Sequence, residues 1–211
     1  MKIMLSFGKY IVFYLDNKKN KIILSTIDKK IVDNIKKLEG IKIIQSKING
    51  NVKLENYISI TNSVISSNIS NVHIKSFVSI APYVCIMGHL HNYKRVTSYY
   101  IFSNLIEDKE MNNDVITKGD LIIEEDVWIG AGAVILSGIT IGRGSIIGAN
   151  SVCNKNIERY SIVAGVPAKV LKKRFIEKTI NKLEDSDWWN WDIKKIKKNK
   201  NFFVENMEWK N

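Results

Sequence analysis

The stretch IIEEDVWIGAGAVILSGITIGRGSIIGANSVC, residues 122–153, has an isoleucine or a cysteine at every sixth position. These positions, here called the beats of the repeat, are Ile123, Ile129, Ile135, Ile141, Ile147 and Cys153. A period of six is neither the period of a helix nor the simple alternation of a strand. It fits a solenoid in which a strand of about four residues and a two-residue corner form one flat side, so that about 18 residues close a triangular coil.

The same pattern predicts which side chains fill the solenoid. The residues four places after each beat are expected to point inward as well: Val127, Ala133, Ile139, Ser145 and Ser151. Gly130, Gly142 and Gly148 follow the beats, where we expect unusual backbone conformations and no room for a side chain. The beat also occurs earlier, at Ile74, Ile80 and Ile86. A spacing sustained over so many positions is not the chance spacing of an ordinary sheet.

The residue pattern changes twice along the sequence and divides the chain into three parts. Residues 1–50 predict an α/β extension with a hairpin over 9–27, a short helix within 25–40 and a strand over 41–46. Residues 51–168 carry the solenoid, interrupted by an insert at 87–116. Residues 169–211 predict a C-terminal helical tail, with its first helix over 172–184. The fold class is therefore mainly β.

The segment from Val127 to Cys153, followed by GVPAKVLKK, resembles the hexapeptide-repeat acyltransferases. The insert GHLHNYKRVTSYYIF and the tail FIEKTINKLEDSDWWNWDIKKI resemble the branch that contains chloramphenicol, streptogramin and saccharide O-acetyltransferases. The resemblance covers about residues 70–200. It implies a left-handed parallel β-helix, acetyl-CoA as co-substrate, no metal, and a homotrimer in which subunits share their sites.

The candidate catalytic residue is one of three histidines. Acetyl transfer to a hydroxyl needs a base that titrates near neutral pH, which suits histidine. Matching HNYKRVTS to the loop of that branch implies that His91 is the base, with residues 96–98 aligned behind it. His89 is the alternative, and His73 is expected to be a surface residue. Four aromatic residues of the insert are candidates for the acceptor wall: Tyr93, Tyr99, Tyr100 and Phe102.

The resemblance also implies a groove for coenzyme A. Trp128 would line it near the thiol, and Ala131 and Ala149 would offer backbone groups. Asn154 and Lys155 lie on the next turn, whereas Lys169 and Lys172 would meet the nucleotide phosphates. Packing for the tryptophan and simple solvation for the lysines are the competing interpretations. No P-loop motif occurs.

These features predict an acetyltransferase acting on a sugar hydroxyl in polysaccharide biosynthesis. Acetylation of an amine on an amino sugar or an antibiotic remains an alternative, as does a non-catalytic β-helix scaffold. A zinc carbonic anhydrase on the same helix would need two histidines five residues apart, and here the close pair is two apart.

The bulk composition adds few constraints. A net charge of +11 suits a cofactor with several phosphates, and the run KKIKKNK at 194–200 is interpreted as a solvated face. Cys85 and Cys153 sit among apolar residues and predict buried free thiols. The sequence shows neither a signal peptide nor an apolar run long enough to span a membrane, so we expect a cytoplasmic protein without a nucleic-acid partner.

Overall fold

The computed structural model describes residues 2–7, 10–16, 19–108, 113–205 and 207. Strands account for most of the regular secondary structure, and most strands of the solenoid are short because the chain turns at each corner. Of the predicted hairpin over 9–27, residues 9, 17 and 18 lie outside the described part of the chain.

The strands before the insert, and the two that it contains, are β1 Lys2–Phe7, β2 Tyr10–Asp16, β3 Lys21–Asp28, β4 Lys42–Ile44, β5 Lys47–Leu54, β6 Ser59–Thr61, β7 Val64–Ile74, β8 Ser79–Ile80, β9 Cys85–Met87, β10 Leu90–His91 and β11 Val115–Ile116. Those after it are β12 Leu121–Ile123, β13 Trp128–Ile129, β14 Val134–Leu136, β15 Thr140–Ile141, β16 Ile146–Ile147, β17 Val152–Cys153, β18 Ser161–Ala164 and β19 Lys169–Lys173. The helices are α1 Lys29–Ile35, α2 Glu177–Ser186 and α3 Ile193–Lys198, with a π-helix at Phe102–Ile106 and 3₁₀ turns at Trp188–Asn190 and Lys200–Phe203.

Successive strands lie on the three sides of a triangular coil. The first side contains β12 and β15, the second β8, β13, β16 and β18, and the third β9, β14 and β17, all paired in parallel on each side. The coil repeats after 18 residues, as three opposed pairs show: Ile122 and Thr140, Trp128 and Ile146, Val134 and Val152. The predicted parallel β-helix with an 18-residue coil is therefore confirmed, and its pairing agrees with a left-handed helix of hexapeptide repeats.

The core of the solenoid is the set of inward columns that the period predicts. Ile123, Ile129, Ile135, Ile141 and Ile147 are each 0% exposed. The second inward positions are buried as well, including Ser145 and Ser151. Burying an isoleucine side chain contributes about 1.5–3 kcal/mol relative to leaving it exposed, so these columns stabilise the coil stack. The two serines satisfy their hydroxyls locally, since Ser145 Oγ donates to the Glu158 carbonyl at 2.9 Å.

The glycines that follow the beats do not have the backbone conformation that the sequence predicts. Gly130, Gly142 and Gly148 are absent from the positive-φ positions, so the expectation of unusual backbone there is wrong. The expectation of crowding is right, because a Cβ on Gly130 would lie 2.7 Å from the Ala149 nitrogen. Left-handed backbone occurs instead two residues further along, as at Gly132 with a φ of 71°. The chain turns there, which requires a positive φ.

Parallel pairing begins earlier than the predicted start at residue 51. The N-terminal strands β1, β2 and β3 pair antiparallel, but Ile22 of β3 also lies beside Ile43 of β4 in parallel. α1 occupies the place of a first-side strand in this opening coil and buries Ile31, Val32 and Ile35. The division of the chain at residues 50 and 168 stays a prediction.

The C-terminal part of the chain folds back onto the corner between the first and second sides. Five residues stack along this tail corner through successive backbone hydrogen bonds: Tyr57, Phe77, Asp126, Gly144 and Tyr160. The Trp188 ring contacts Phe77 at 4.9 Å between centroids, and Arg174 Nη1 lies 2.8 Å from an Asp126 oxygen. The tail therefore covers one edge of the prism.

Ionic contacts fix α2 beside the last coils. Glu184 of α2 accepts two hydrogen bonds from Arg143 Nη1 at 3.0 Å and one from the Tyr160 hydroxyl at 2.9 Å. The Arg143 guanidinium also lies over the Trp189 ring, 3.8 Å from its centroid. Arginine is suited to this dual role because its planar group both forms bidentate bonds and stacks on aromatic faces.

The predicted helix over 172–184 begins too early. Lys172 and Lys173 belong to β19, which pairs antiparallel with β18, and α2 starts only at Glu177. The strand gains ladder hydrogen bonds that a helix beginning at 172 would forfeit. None of the helices in the described part of the chain is long and apolar enough to cross a membrane.

Candidate active site

The insert forms an arm at the corner where the third side ends and the first side begins. It leaves the solenoid after β9 and returns to it at β12. Its base is a short antiparallel pair in which Leu90 lies opposite Ile116, and His91 opposite Val115. His91 is exposed at the end of this pair. A rigid scaffold thus presents the histidine on an arm outside the packed core.

A backbone carbonyl orients the His91 ring. Nδ1 of His91 lies 2.7 Å from the carbonyl oxygen of Ser98, and the Tyr100 ring packs edge-on against the imidazole at 4.5 Å. A carbonyl can only accept, so Nδ1 carries the proton and the neutral ring keeps its lone pair on Nε2. The tautomer is the one that a base acting through Nε2 requires. Sequence reasoning left the orienting group open, because every residue has a carbonyl and no side-chain pattern marks this one.

Asp114 organises the arm around His91, although nothing in the sequence singled it out. Its side chain is 1% exposed, and it accepts hydrogen bonds from the Ser103 amide and hydroxyl, both at 2.8 Å, and from the Phe102 amide at 3.2 Å. Arg95 lies 3.4 Å away. Burial opposes ionisation of Asp114, but these hydrogen bonds and the positive charge outweigh it and hold the pKa of the carboxyl below its ordinary value.

The other two histidines have different surroundings. His89 is buried, and its Nδ1 has no hydrogen-bond partner among the described residues. Burial, with a smaller effect of His91, lowers the pKa of His89, so this ring stays neutral. His73, which was expected to be a surface residue, lies on the first side, where it is half-buried and its Nε2 is 2.8 Å from Glu55 Oε1.

The aromatic residues of the insert separate into two groups. Tyr93 and Tyr99 are exposed. Tyr100 contacts His91, and the Phe102 ring lies under the Arg95 guanidinium at 4.3 Å. Two of the candidates for the acceptor wall therefore support the arm, while the two exposed tyrosines keep free surface beside it. That any of them contacts an acceptor stays a prediction.

Several of the predicted cofactor residues lie together on another part of the prism. Trp128 projects from the second side with 53% of its surface exposed. The strand pairing continues from Trp128 to Ile146, from Ile146 to Ile162, and from Ile162 to Lys172. Trp128 and Lys172 thus lie on one side, three rungs apart. Since neighbouring strands are separated by about 4.8 Å, the two positions are about 14 Å apart along the solenoid.

The adjacent corner holds the two predicted alanines. The Ala131 carbonyl accepts from the Asn150 amide at 2.8 Å, so Ala131 and Ala149 stack one coil apart. In the hydrogen bonds of the described residues, neither alanine amide is a donor. Lys169 lies opposite Ala164 at the end of the second side and is exposed. Asn154 and Lys155 follow β17 on the third side, with Lys155 exposed.

Within one chain, His91 lies at one corner of the prism, and Trp128 lies on the second side, which does not border that corner. The arm joins the third side to the first, whereas Trp128 lies on the second side, and Ala131 where the second side ends. The structure therefore brings most of the predicted cofactor residues near one another, but it does not bring the histidine to them within a single subunit.

Two further features concern the potential metal ligands and the two cysteine thiols. The described residues contain no group of three or more His, Cys, Asp or Glu side chains that could hold a metal ion. Burial raises the pKa of the Cys153 thiol to about 11 and also raises that of Cys85. Both thiols are therefore protonated near neutral pH, and a protonated thiol is a poor nucleophile.

Residues 120–155 match the family model described as bacterial transferase hexapeptide (six repeats). This segment of the chain is similar to bacterial transferase hexapeptide repeats. The match contains Trp128, Ala131, Ala149, Asn154 and Lys155. It ends before Lys169 and does not include the arm.

The chain is also similar over longer stretches to named enzymes. A chloramphenicol acetyltransferase of Klebsiella aerogenes is 38% identical over 136 residues, which is 62% of this chain and 64% of that protein. A probable macrolide acetyltransferase of Lysinibacillus sphaericus is 49% identical over 79 residues, or 37% of this chain and 44% of that protein. The chain thus spans less than two thirds of the length of these curated relatives.

Among solved structures, a mutant of AntD, an N-acyltransferase from Bacillus cereus in complex with dTDP and coenzyme A, superimposes with a TM-score of 0.58. The similarity covers 79% of this chain and 89% of AntD at 21% sequence identity. At that identity the likeness supports the fold, which agrees with the solenoid described above.

Proposed function

We propose that this protein is an acetyl-CoA-dependent acetyltransferase with His91 as general base. The observation that carries the proposal is the exposed His91 ring, held by the Ser98 carbonyl with Nε2 left as the acceptor. The relatives named acetyltransferases support the same reaction class. The hexapeptide repeats that contain Trp128 would form the part of the site that binds coenzyme A.

The reaction is a direct transfer in a ternary complex. As the acceptor oxygen attacks the thioester carbonyl carbon, its proton passes to Nε2 of His91. The tetrahedral intermediate collapses by breaking the carbon–sulfur bond, and the proton on His91 returns to the leaving thiolate. The acetyl ester and free coenzyme A are the products, and the enzyme carries no acetyl group at any stage.

The residues near Trp128 suit coenzyme A. The exposed indole offers an apolar surface for the pantetheine arm, and the amides of Ala131 and Ala149 offer hydrogen-bond donors. Lys155, Lys169 and Lys172 supply positive charge toward the end of the solenoid, and Asn154 adds an amide side chain there. Contacts made by such solvent-exposed lysines weaken with ionic strength.

A homotrimer would complete the site. Because the arm with His91 and the second side with Trp128 do not adjoin in one chain, a neighbouring subunit has to bring its arm to the Trp128 surface. Three copies related by a three-fold axis would each contribute one arm and one groove, which closes the assembly.

The acceptor that we propose is a hydroxyl-bearing small molecule. A sugar hydroxyl of a polysaccharide precursor fits the exposed tyrosines of the arm, because aromatic faces pack against sugar rings. An antibiotic is the second candidate, and it is favoured by the relatives named chloramphenicol, macrolide and virginiamycin A acetyltransferases. An amine acceptor would use the same base.

An acceptor screen with release of free thiol from acetyl-CoA as its readout tests the function. Sugars and nucleotide-linked sugars form one panel, and chloramphenicol, macrolides and streptogramins the other. We expect one panel to give turnover that falls about 10²–10⁴-fold in the His91→Ala variant, the usual contribution of a positioned base. His89→Ala is the matched control and should lose far less. Full activity in His91→Ala, or a burst of thiol without acceptor, would contradict the mechanism.

A further inference from the structure

The end of the tail carries a concentrated positive charge that the acetyl-transfer site does not use. Residues 193–204, here called the basic segment, comprise α3 and the 3₁₀ turn that follows it. The lysines at 194, 195, 197, 198 and 200 are all exposed. No salt bridge joins any of them to a carboxylate among the described residues. None of these five ammonium groups is therefore neutralised by an ion pair with a described acid.

Aromatic packing holds this segment in a defined place on the solenoid. The Trp191 ring lies 5.2 Å from Phe202 and 6.3 Å from Phe203, and Lys195 Nζ stands 4.3 Å from the Trp191 centroid. Phe203 in turn contacts Trp188, which packs on Phe77 of the solenoid. The lysines are thus presented on a folded support.

Apolar side chains are exposed within the same segment. Val204 is 76% exposed, Phe203 42% and Ile193 40%. Lysines interspersed with exposed aliphatic and aromatic side chains are typical of surfaces that rest on a lipid headgroup layer, because the charges meet anionic lipids while the apolar groups enter the boundary below.

We propose that the basic segment docks the protein on the surface of an anionic lipid bilayer. The net charge of +11 favours approach of the whole chain to such a surface. A nucleic acid would also attract the lysines, but its stacked bases give Val204 and Ile193 no apolar layer to enter. α3 has six residues, too few for a spanning element, so the protein would lie on the surface.

Co-sedimentation with lipid vesicles tests this docking. Wild-type protein is mixed with vesicles of phosphatidylcholine alone or of equal parts phosphatidylcholine and phosphatidylglycerol, at low and at high salt. We expect binding only to the anionic vesicles, with loss at 1 M salt, where the screening length is about 3 Å. Replacing Lys194, Lys197, Lys198 and Lys200 by Glu should weaken binding by at least about 100-fold.

Matched variants separate local docking from a general charge effect. Reversing four exposed lysines of the N-terminal coils, Lys29, Lys37, Lys42 and Lys47, changes the net charge equally and should leave most of the binding intact. Val204→Ser should reduce the binding that survives at intermediate salt. Equal losses in the two charge-reversed variants, binding to uncharged vesicles, or binding to duplex DNA without binding to anionic vesicles would each overturn the proposal. Melting curves confirm that every variant is folded.

Discussion

At the scale of single residues, Asp114 is the side chain on which the geometry of the arm depends. Its carboxylate accepts hydrogen bonds from the amides of Phe102 and Ser103. These bonds fix the turn just after Tyr100, the residue that packs on His91. Its own backbone continues into Val115, which pairs with His91. Replacing this buried carboxylate should therefore displace the imidazole both through Tyr100 and through Val115.

Asp114→Asn should lower kcat about 10- to 100-fold, because an amide cannot accept all of these hydrogen bonds and a small displacement of a catalytic group is costly. KM for acetyl-CoA should change little, since the proposed cofactor residues lie outside the arm. Asp185→Asn on the exposed face of α2 is the control. Steady-state kinetics with each substrate varied, together with melting temperatures, make the measurement. A rise in KM for acetyl-CoA with kcat unchanged would contradict a positioning role.

The catalytic candidate could be predicted from the sequence more readily than the groups that hold it in position. His91 stands out because histidines are few and its loop interrupts a regular period. Asp114 and the Ser98 carbonyl carry no such mark, because an aspartate in a loop is common and a carbonyl is universal. Their importance arises from the fold of the arm, which brings together residues distant in sequence, such as Asn92 and Asn113, hydrogen-bonded across 21 positions.

At the scale of structural elements, the tail corner shows how a single glycine admits a large side chain. Gly144 has a φ of 67°, and a Cβ there would lie 2.4 Å from Cδ1 of Tyr160. The Tyr160 hydroxyl donates to Glu184 of α2, so displacement of the ring also loosens the helix.

Gly144→Ala should lower the free energy of unfolding by about 2–4 kcal/mol, from the left-handed backbone and the clash combined. Gly119→Ala is the comparison, since Gly119 also has a positive φ but a Cβ there would meet nothing closer than 3.9 Å. Denaturant unfolding of both variants measures the difference. Equal destabilisation would mean that the backbone alone, and not the Tyr160 ring, sets the cost.

The elements with a strict period could be predicted, and those without it could not. The inward columns follow from the six-residue spacing because burial selects apolar or small side chains at each rung. The left-handed corner positions escaped prediction because they accept Asp126, Asn150 and tyrosines as well as glycine. The start of α2 was misplaced because Lys172 and Lys173 suit a helix locally, whereas pairing with β18 makes them a strand.

At the scale of the whole molecule, the separation of His91 from Trp128 predicts the assembly. Light scattering at micromolar concentration should give three times the mass of the 24.2 kDa chain. Mixing His91→Ala subunits with subunits substituted only at Trp128 should restore part of the activity that each variant lacks alone. Some sites of the mixed assemblies would then combine an intact arm with an intact groove. A monomeric mass with full activity would rule out the shared site.

The reversal of direction at β19 has a consequence for how copies of the solenoid meet. A stack of parallel strands that ended on an open rung would offer its hydrogen-bonding edge to another molecule and could grow into a filament. β19 instead turns back on β18, and in the described part of the chain it pairs with no other strand. The strand at this edge carries the exposed Lys169, and a positive charge on an edge strand disfavours pairing with a second copy. Polymerisation along the axis is thereby disfavoured, which agrees with the proposed association through the flanks of the prism.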